Sequence, residues 1–141
     1  MPVYGRNKFY WYKDSLSEVD EDPPIVSTYY DGLDTTRLTK VLFIATRRLD
    51  DDANQKNLQG RLTIDGVITS VANKEHNDNT WYYWYLDQDA ETLRVTTSIY
   101  HPNYYSAIEG RSIKFDAQQV DAPGANAEFD IRVQYETWRP T

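Results

Sequence analysis

The stretch "RLTIDGVITSV", residues 61–71, contains the strongest signal for the fold. Asp65-Gly66 is a favoured pair for a two-residue hairpin turn, because both central residues of that turn need a positive φ angle. Before the turn, Leu62 and Ile64 alternate with the polar residues Arg61 and Thr63, as in a strand with one buried face. The stretch therefore predicts a β-hairpin with two cross-strand pairs: Ile64 with Val67, and Leu62 with Thr69.

Two other regions show the same period of two. Near the C-terminus, four apolar residues alternate with charged or amide residues; they are Phe129, Ile131, Val133 and Tyr135. Residues 80–86 lead through "DQDAE" into "TLRVTTSIY", whose apolar residues also share one face. Because each hairpin joins antiparallel neighbours, these regions together predict an antiparallel sheet.

Further strands are predicted at "NKFYWYK", "PIVSTYY" and "RSIKFDAQQV", with polar loops between them, among them "KDSLSEVDEDPP". The chain then has about eight short strands, which is typical of a β-sandwich or a jelly-roll. With no repeat and no long linker, we expect one all-β domain over residues 1–141.

Residues 35–49 allow two interpretations. The run "VLFIAT" reads as a buried strand, and its β-branched residues favour that reading. The apolar residues of the segment also fit the stripe of a short helix that Asp34 or Thr35 would cap. We expect a strand and keep a short helix as the alternative.

Composition limits the function classes. Because the chain has no cysteine, it has neither disulfides nor a thiolate metal site. The net charge of −7 opposes a surface that follows nucleic-acid phosphates, so we expect no nucleic-acid partner. No segment has the apolar length of a membrane span, and the start resembles no signal peptide. We expect a soluble protein with an intact start, in a virion or in the cytoplasm.

Aromatic residues are the unusual feature, with 12 Tyr, 4 Trp and 4 Phe in the chain. In "NTWYYWYLD", residues 79–87, a strand would direct Trp81, Tyr83 and Tyr85 to one face, and Tyr82, Trp84 and Leu86 to the other. Alternation predicts that Trp81 and Trp84 differ in burial; we take Trp84 as the inner residue, with the reverse assignment open. "KFYWYK" repeats this two-faced pattern around Trp11 and Tyr12.

A second aromatic group lies in "YHPNYYS", residues 100–106, which includes His101, Tyr104 and Tyr105. Aromatic rings beside imidazole and amide groups suit a sugar ring, and they suit a protein interface equally well. The candidate binding or interface residues are Trp11, Tyr12, Trp81, Tyr83, Trp84, Tyr85, His101, Tyr104 and Tyr105.

Acidic runs are predicted to be solvated loops. "LDDDAN" places Asp50, Asp52 and Asn54 at alternating positions, as calcium loops do. In an EF-hand loop starting at Asp50, however, the required glycine would be Gln55 and the bidentate glutamate would be Arg61. We therefore predict no metal site.

Catalytic patterns find little support. The chain has 2 histidines, without ligand spacing, and neither a nucleophile elbow nor a phosphate-binding glycine loop. His76, among Glu75, Asp78 and Asn79, is expected at the surface. We predict a protein that is not an enzyme and has no cofactor.

Three function classes remain. The first is a structural or assembly subunit of a larger particle, such as a phage decoration, tail or adaptor protein, whose outer aromatic faces contact other subunits. The second is a carbohydrate-binding module in which Trp and Tyr rings stack on sugars. A binder of single-stranded nucleic acid is third, since rings could stack bases but the charge opposes the backbone.

Overall fold

The computed structural model describes residues 9–21, 28–49, 55–97, 105–121 and 127–140. The side chains of residues 9–21, 105 and 138–140 are not described. These ranges contain eleven β-strands, namely β1 Phe9–Glu21, β2 Tyr30–Asp34, β3 Thr39–Leu49, β4 Lys56–Ile64, β5 Val67–His76, β6 Tyr82–Asp87, β7 Leu93–Thr96, β8 Tyr105–Ser106, β9 Ile108–Gly110, β10 Ile113–Gln119 and β11 Glu128–Pro140.

The strands form two antiparallel sheets. Sheet A has the order β1-β11-β3-β6-β7, with β8 paired to β6 and β9 paired to β3. Sheet B has the order β2-β10-β4-β5. Eight of the strands form a regular frame of four antiparallel pairs: β1 with β11, β2 with β10, β3 with β6, and β4 with β5.

This connectivity is a jelly-roll. From β1 to β4 the chain passes from one sheet to the other at every strand, and it passes between them again from β5 to β6, from β9 to β10 and from β10 to β11. The four pairs thus wrap around one another as two stacked four-stranded sheets, with β7, β8 and β9 added to sheet A. The expected all-β sandwich or jelly-roll is confirmed, and the three short strands raise the count above eight.

The predicted hairpin is β4–β5. Asp65 and Gly66 have φ angles of 52° and 81°, as the tight turn requires, and Ile64 opposes Val67 as expected. The second pair is different, because Leu62 opposes Ser70 rather than Thr69. A bulge at Thr69 inserts one residue and shifts the register by that amount.

The structure also decides between strand and helix for residues 35–49 and corrects the prediction for the acidic run. Residues 39–49 are the strand β3, so the helical alternative is wrong. The acidic run that was predicted to be a loop continues β1 as far as Glu21, with an irregularity between Asp14 and Ser17. This acidic segment is a strand because its backbone pairs with β11, which its polar composition does not indicate.

The core lies between the sheets. From β11, Phe129, Ile131 and Val133 are fully buried, as their alternation predicted. Across the core, a Cβ on Gly60 of β4 would lie 2.7 Å from the indole of Trp84, so this glycine makes room for the ring. In the part of the chain that the structure describes, no helix is long and apolar enough to cross a membrane.

Candidate functional site

Strand β6 separates its aromatic residues between the core and the outer side of sheet A. Tyr82 and Trp84 are each 3% exposed and belong to the core side. Trp81, just before the strand, and Tyr83 and Tyr85 within it are half-buried on the opposite side. Alternation therefore works as the sequence predicted, and Trp84 is the inner tryptophan.

Trp84, one of the candidate interface residues, lies in the core. Trp84 packs on Phe115 of sheet B with ring centroids 5.6 Å apart. Its indole Nε1 donates a hydrogen bond of 2.8 Å to Oγ1 of Thr46. Trp84 is thus a core residue and is not available to a surface partner.

His76 also departs from expectation. We predicted a surface side chain, but it is 0% exposed, because β5 extends to residue 76 and brings the imidazole between the sheets. Nε2 lies 2.7 Å from Oγ1 of Thr46, and Nδ1 lies 2.8 Å from the carbonyl oxygen of Lys74. The ring packs against Tyr82 with centroids 4.1 Å apart and the two ring planes tilted by 44°.

The partners of His76 define its proton positions. A carbonyl only accepts, so Nδ1 carries the proton that bonds Lys74. Since Thr46 already accepts from Trp84, its own hydroxyl proton is free to bond Nε2. Burial lowers the pKa of His76 from 6.5 to about 4, so the ring is neutral at pH 7. This chain of hydrogen bonds joins sheet B to sheet A.

On the outer side, Trp81 is held by arginines. The guanidinium carbons of Arg47 and Arg132 lie 4.7 Å and 4.9 Å from the ring centroid. Arg47 is fixed by Asp130 on the neighbouring strand, to which Nε and Nη2 donate bonds of 3.0 Å and 2.6 Å. The indole is thus positioned within an ordered group of charged side chains.

Tyr83 continues this surface toward the middle of sheet A. Its ring meets Phe43 of β3 edge to face, with centroids 6.2 Å apart. Ala45 opposes Tyr83 across the strands and is only 1% exposed, because large side chains cover it on this outer side. Tyr85 follows, opposite Arg94. We call Phe43, Trp81, Tyr83 and Tyr85 the outer aromatic face.

The remaining candidates are less fully described. Trp11 and Tyr12 lie in β1, where their backbones oppose Trp138 and Thr137. Tyr105 begins β8 and opposes Asp87 of β6. His101 and Tyr104 lie outside the described residues, so their proposed role is neither supported nor contradicted. Among the candidates whose side chains are described, Trp81, Tyr83 and Tyr85 share the outer side of sheet A.

In the described ranges, no group of three or more His, Asp or Glu side chains is placed to hold a metal ion. Asp50, Asp52 and Asn54 of the acidic run lie outside those ranges.

Arginines are the part of the site that sequence reasoning missed. Arg47 and Arg48 are adjacent in the chain, and alternation sends them to opposite sides of sheet A. Arg48 is 1% exposed, and its Nε donates a 2.8 Å bond to the carbonyl oxygen of His76. Arg47 faces outward to Trp81. The basic pair was visible in the sequence, but its association with Trp81 depends on distant pairing.

No protein-family model matches this chain. No curated protein matches it either.

Three solved structures resemble it weakly. One, a structure of infectious bursal disease virus, Gx strain, has a TM-score of 0.33 and 9% identity. Another, the T13 particle of the same virus, has a TM-score of 0.34 and 10% identity. T=1 particles derived from that virus have a TM-score of 0.27 and 11% identity. The matches cover 94%, 94% and 95% of this chain but only 36%, 35% and 40% of those chains.

Proposed function

We propose that this chain is a non-enzymatic structural subunit that assembles into a larger particle, such as a decoration, tail or adaptor protein of a phage virion. The outer aromatic face is the proposed contact with neighbouring subunits. The observation that carries the proposal is the half-exposed row of Trp81, Tyr83 and Tyr85 on the outer side of a sheet whose inner side already forms the core.

The residue types of the outer aromatic face, and the contacts that already hold their side chains, both favour a protein contact. Trp, Tyr and Arg are the residues that most often dominate the binding energy of protein interfaces. Here Arg47 is already fixed by Asp130, and the Phe43 ring already supports Tyr83. A partner would therefore immobilise few side chains on binding, which reduces the entropic cost of association.

The fold alone does not distinguish the candidates, because jelly-rolls occur in both viral capsids and lectins. The surroundings of Trp81 favour assembly over sugar binding. A sugar platform presents an open ring face, whereas two guanidinium groups occupy positions against this indole. The neighbouring aromatic rings extend along the sheet, which favours a broad, flat contact.

Association of the purified chain provides the test. Sedimentation velocity over a range of concentrations should show an assembled species, and Tyr83→Ala should weaken it. The matched control is Tyr29→Ala, because Tyr29 is a half-buried aromatic residue on the outer side of sheet B, with the guanidinium carbon of Arg61 3.9 Å from its ring centroid. That variant should associate normally.

Two results would contradict the proposal. One is a wild-type chain that stays monomeric at every concentration and binds no component of a particle. The other is glycan binding on an array that Trp81→Ala abolishes, which would support the carbohydrate-binding alternative instead.

A further inference from the structure

In the described part of the chain, strand β5 is an edge strand of the sandwich. It is the terminal strand of sheet B, and β4 pairs with one side of it. Among the described residues no strand pairs with its other side. An edge strand presents unpaired backbone N–H and C=O groups, and another β-strand is the partner that fits them.

The side chains of this edge are unusually apolar. Val67, Ile68 and Val71 are 68%, 55% and 46% exposed, more than any other large hydrophobic residue in the described ranges. Ile68 and Val71 oppose Thr63 and Arg61, so both belong to the outer side of sheet B. Exposed edge strands usually have charged residues or proline at such positions, whereas these three residues are all aliphatic.

We propose that this edge pairs antiparallel with β5 of a second copy, which deepens the assembly role and rests on it. A two-fold axis at Val71 places this residue opposite its own copy and Ser70 opposite Ala72. Ser70 and Ala72 oppose inward-facing residues of β4, so the pairing keeps like faces together.

Charge supports the same register. Lys74 and Glu75 lie toward the far end of the strand. With the axis at Val71, the two copies of Lys74 are about 20 Å apart along the paired strands, so like charges do not meet. An axis at Asn73 would instead bring the two copies of Lys74 to within about 7 Å of each other along the strands. The bulge at Thr69 limits regular pairing toward the hairpin turn, so we expect the paired segment to be short. This contact would add to the one made by the outer aromatic face on sheet A.

Cysteine trapping tests this pairing directly, because the natural chain has no cysteine. Opposed residues of an antiparallel pair have Cα atoms about 4.5 to 5.5 Å apart, within the range of a disulfide. Val71→Cys should therefore form a disulfide-linked dimer under mild oxidation. Asn73→Cys is the matched control on the same strand, since its two copies would be about 13 Å apart and outside that range.

The outcomes separate this inference from the function it rests on. A dimer from Val71→Cys that persists when Tyr83→Ala is added supports the β5 pairing independently of the outer aromatic face. The β5 pairing is overturned if Val71→Cys stays monomeric, or if Asn73→Cys forms a dimer equally fast. Failure at Val71 with association that still depends on Tyr83 would leave the assembly proposal standing. Thermal melts of each reduced variant establish that it is folded.

Discussion

Trp84 and Trp81 lie close together in the chain but have different surroundings. Trp84 packs on Phe115, bonds Thr46 and occupies the space that Gly60 leaves open. Trp81 lies on the opposite side of sheet A, against the guanidinium groups of Arg47 and Arg132. A jelly-roll needs only one apolar side per sheet, and the inner aromatic residues of β6 pack in that core, whereas the outer ones lie on the opposite side of sheet A.

The largest expected effect is on the inner side. Trp84→Ala should lower the free energy of unfolding by about 3 to 5 kcal/mol, because it leaves a cavity between the sheets. Urea unfolding measures this. Trp84→Phe should cost less, since it retains much of the ring volume, although it loses the bond to Thr46. A Trp84→Ala variant as stable as the natural chain would contradict the core assignment.

Lowering the pH should also reduce the free energy of unfolding, through the buried His76 near Trp84. Because burial lowers the pKa of His76 from 6.5 to about 4, the unfolded chain takes up a proton at a higher pH than the folded chain. Stabilisation by the neutral ring is complete above pH 6.5, declines as the pH falls to about 4, and is lost below that value. The full effect is about 3 kcal/mol.

Protonation is disfavoured further by the positive charges of Arg48 and Lys74. The measurement is urea unfolding between pH 7 and pH 4, with His76→Gln as the control because an amide does not titrate. The natural chain should lose stability more steeply than the variant across this interval. Equal slopes would show that His76 does not contribute.

Gly60→Ala should have a smaller effect. The new Cβ would lie 2.7 Å from Cζ3 of Trp84 and 3.0 Å from Cζ of Phe115, so one of these rings must move. We expect a loss of about 1 to 3 kcal/mol. Adding Trp84→Phe should recover part of it, because the smaller ring relieves the contact. Strict additivity of the two substitutions in urea unfolding would argue against this explanation.

Period-two alternation accounts for what the sequence predicted correctly. The β4–β5 hairpin, the buried face of β11 and the opposite sides of Trp81 and Trp84 depend on residues that are near one another in the chain. Asp65 and Gly66 both have the positive φ angles that the tight turn requires. Such features need no knowledge of the partner strands.

Features that depend on distant residues were not predictable. His76 lies in a polar stretch, and only the packing of β5 against Thr46 of β3 makes it a core residue. Likewise, the acidic end of β1 is extended because β11 pairs with it. The bulge at Thr69 moved one predicted pair by a residue, and no turn residue marks it.

The smallest expected effect on stability is on the outer side. Trp81→Ala removes the cation–π contacts with Arg47 and Arg132, and a partly exposed contact of this kind contributes about 0.5 to 1 kcal/mol. The core is unchanged, so the thermal midpoint should fall only slightly, whereas association measured by sedimentation velocity should weaken clearly. Trp84→Phe is the opposite control, because it alters the core and leaves the outer side intact. If Trp81→Ala destabilises the monomer as strongly as Trp84→Ala and leaves association unchanged, Trp81 is a structural residue and the outer aromatic face has no role in assembly.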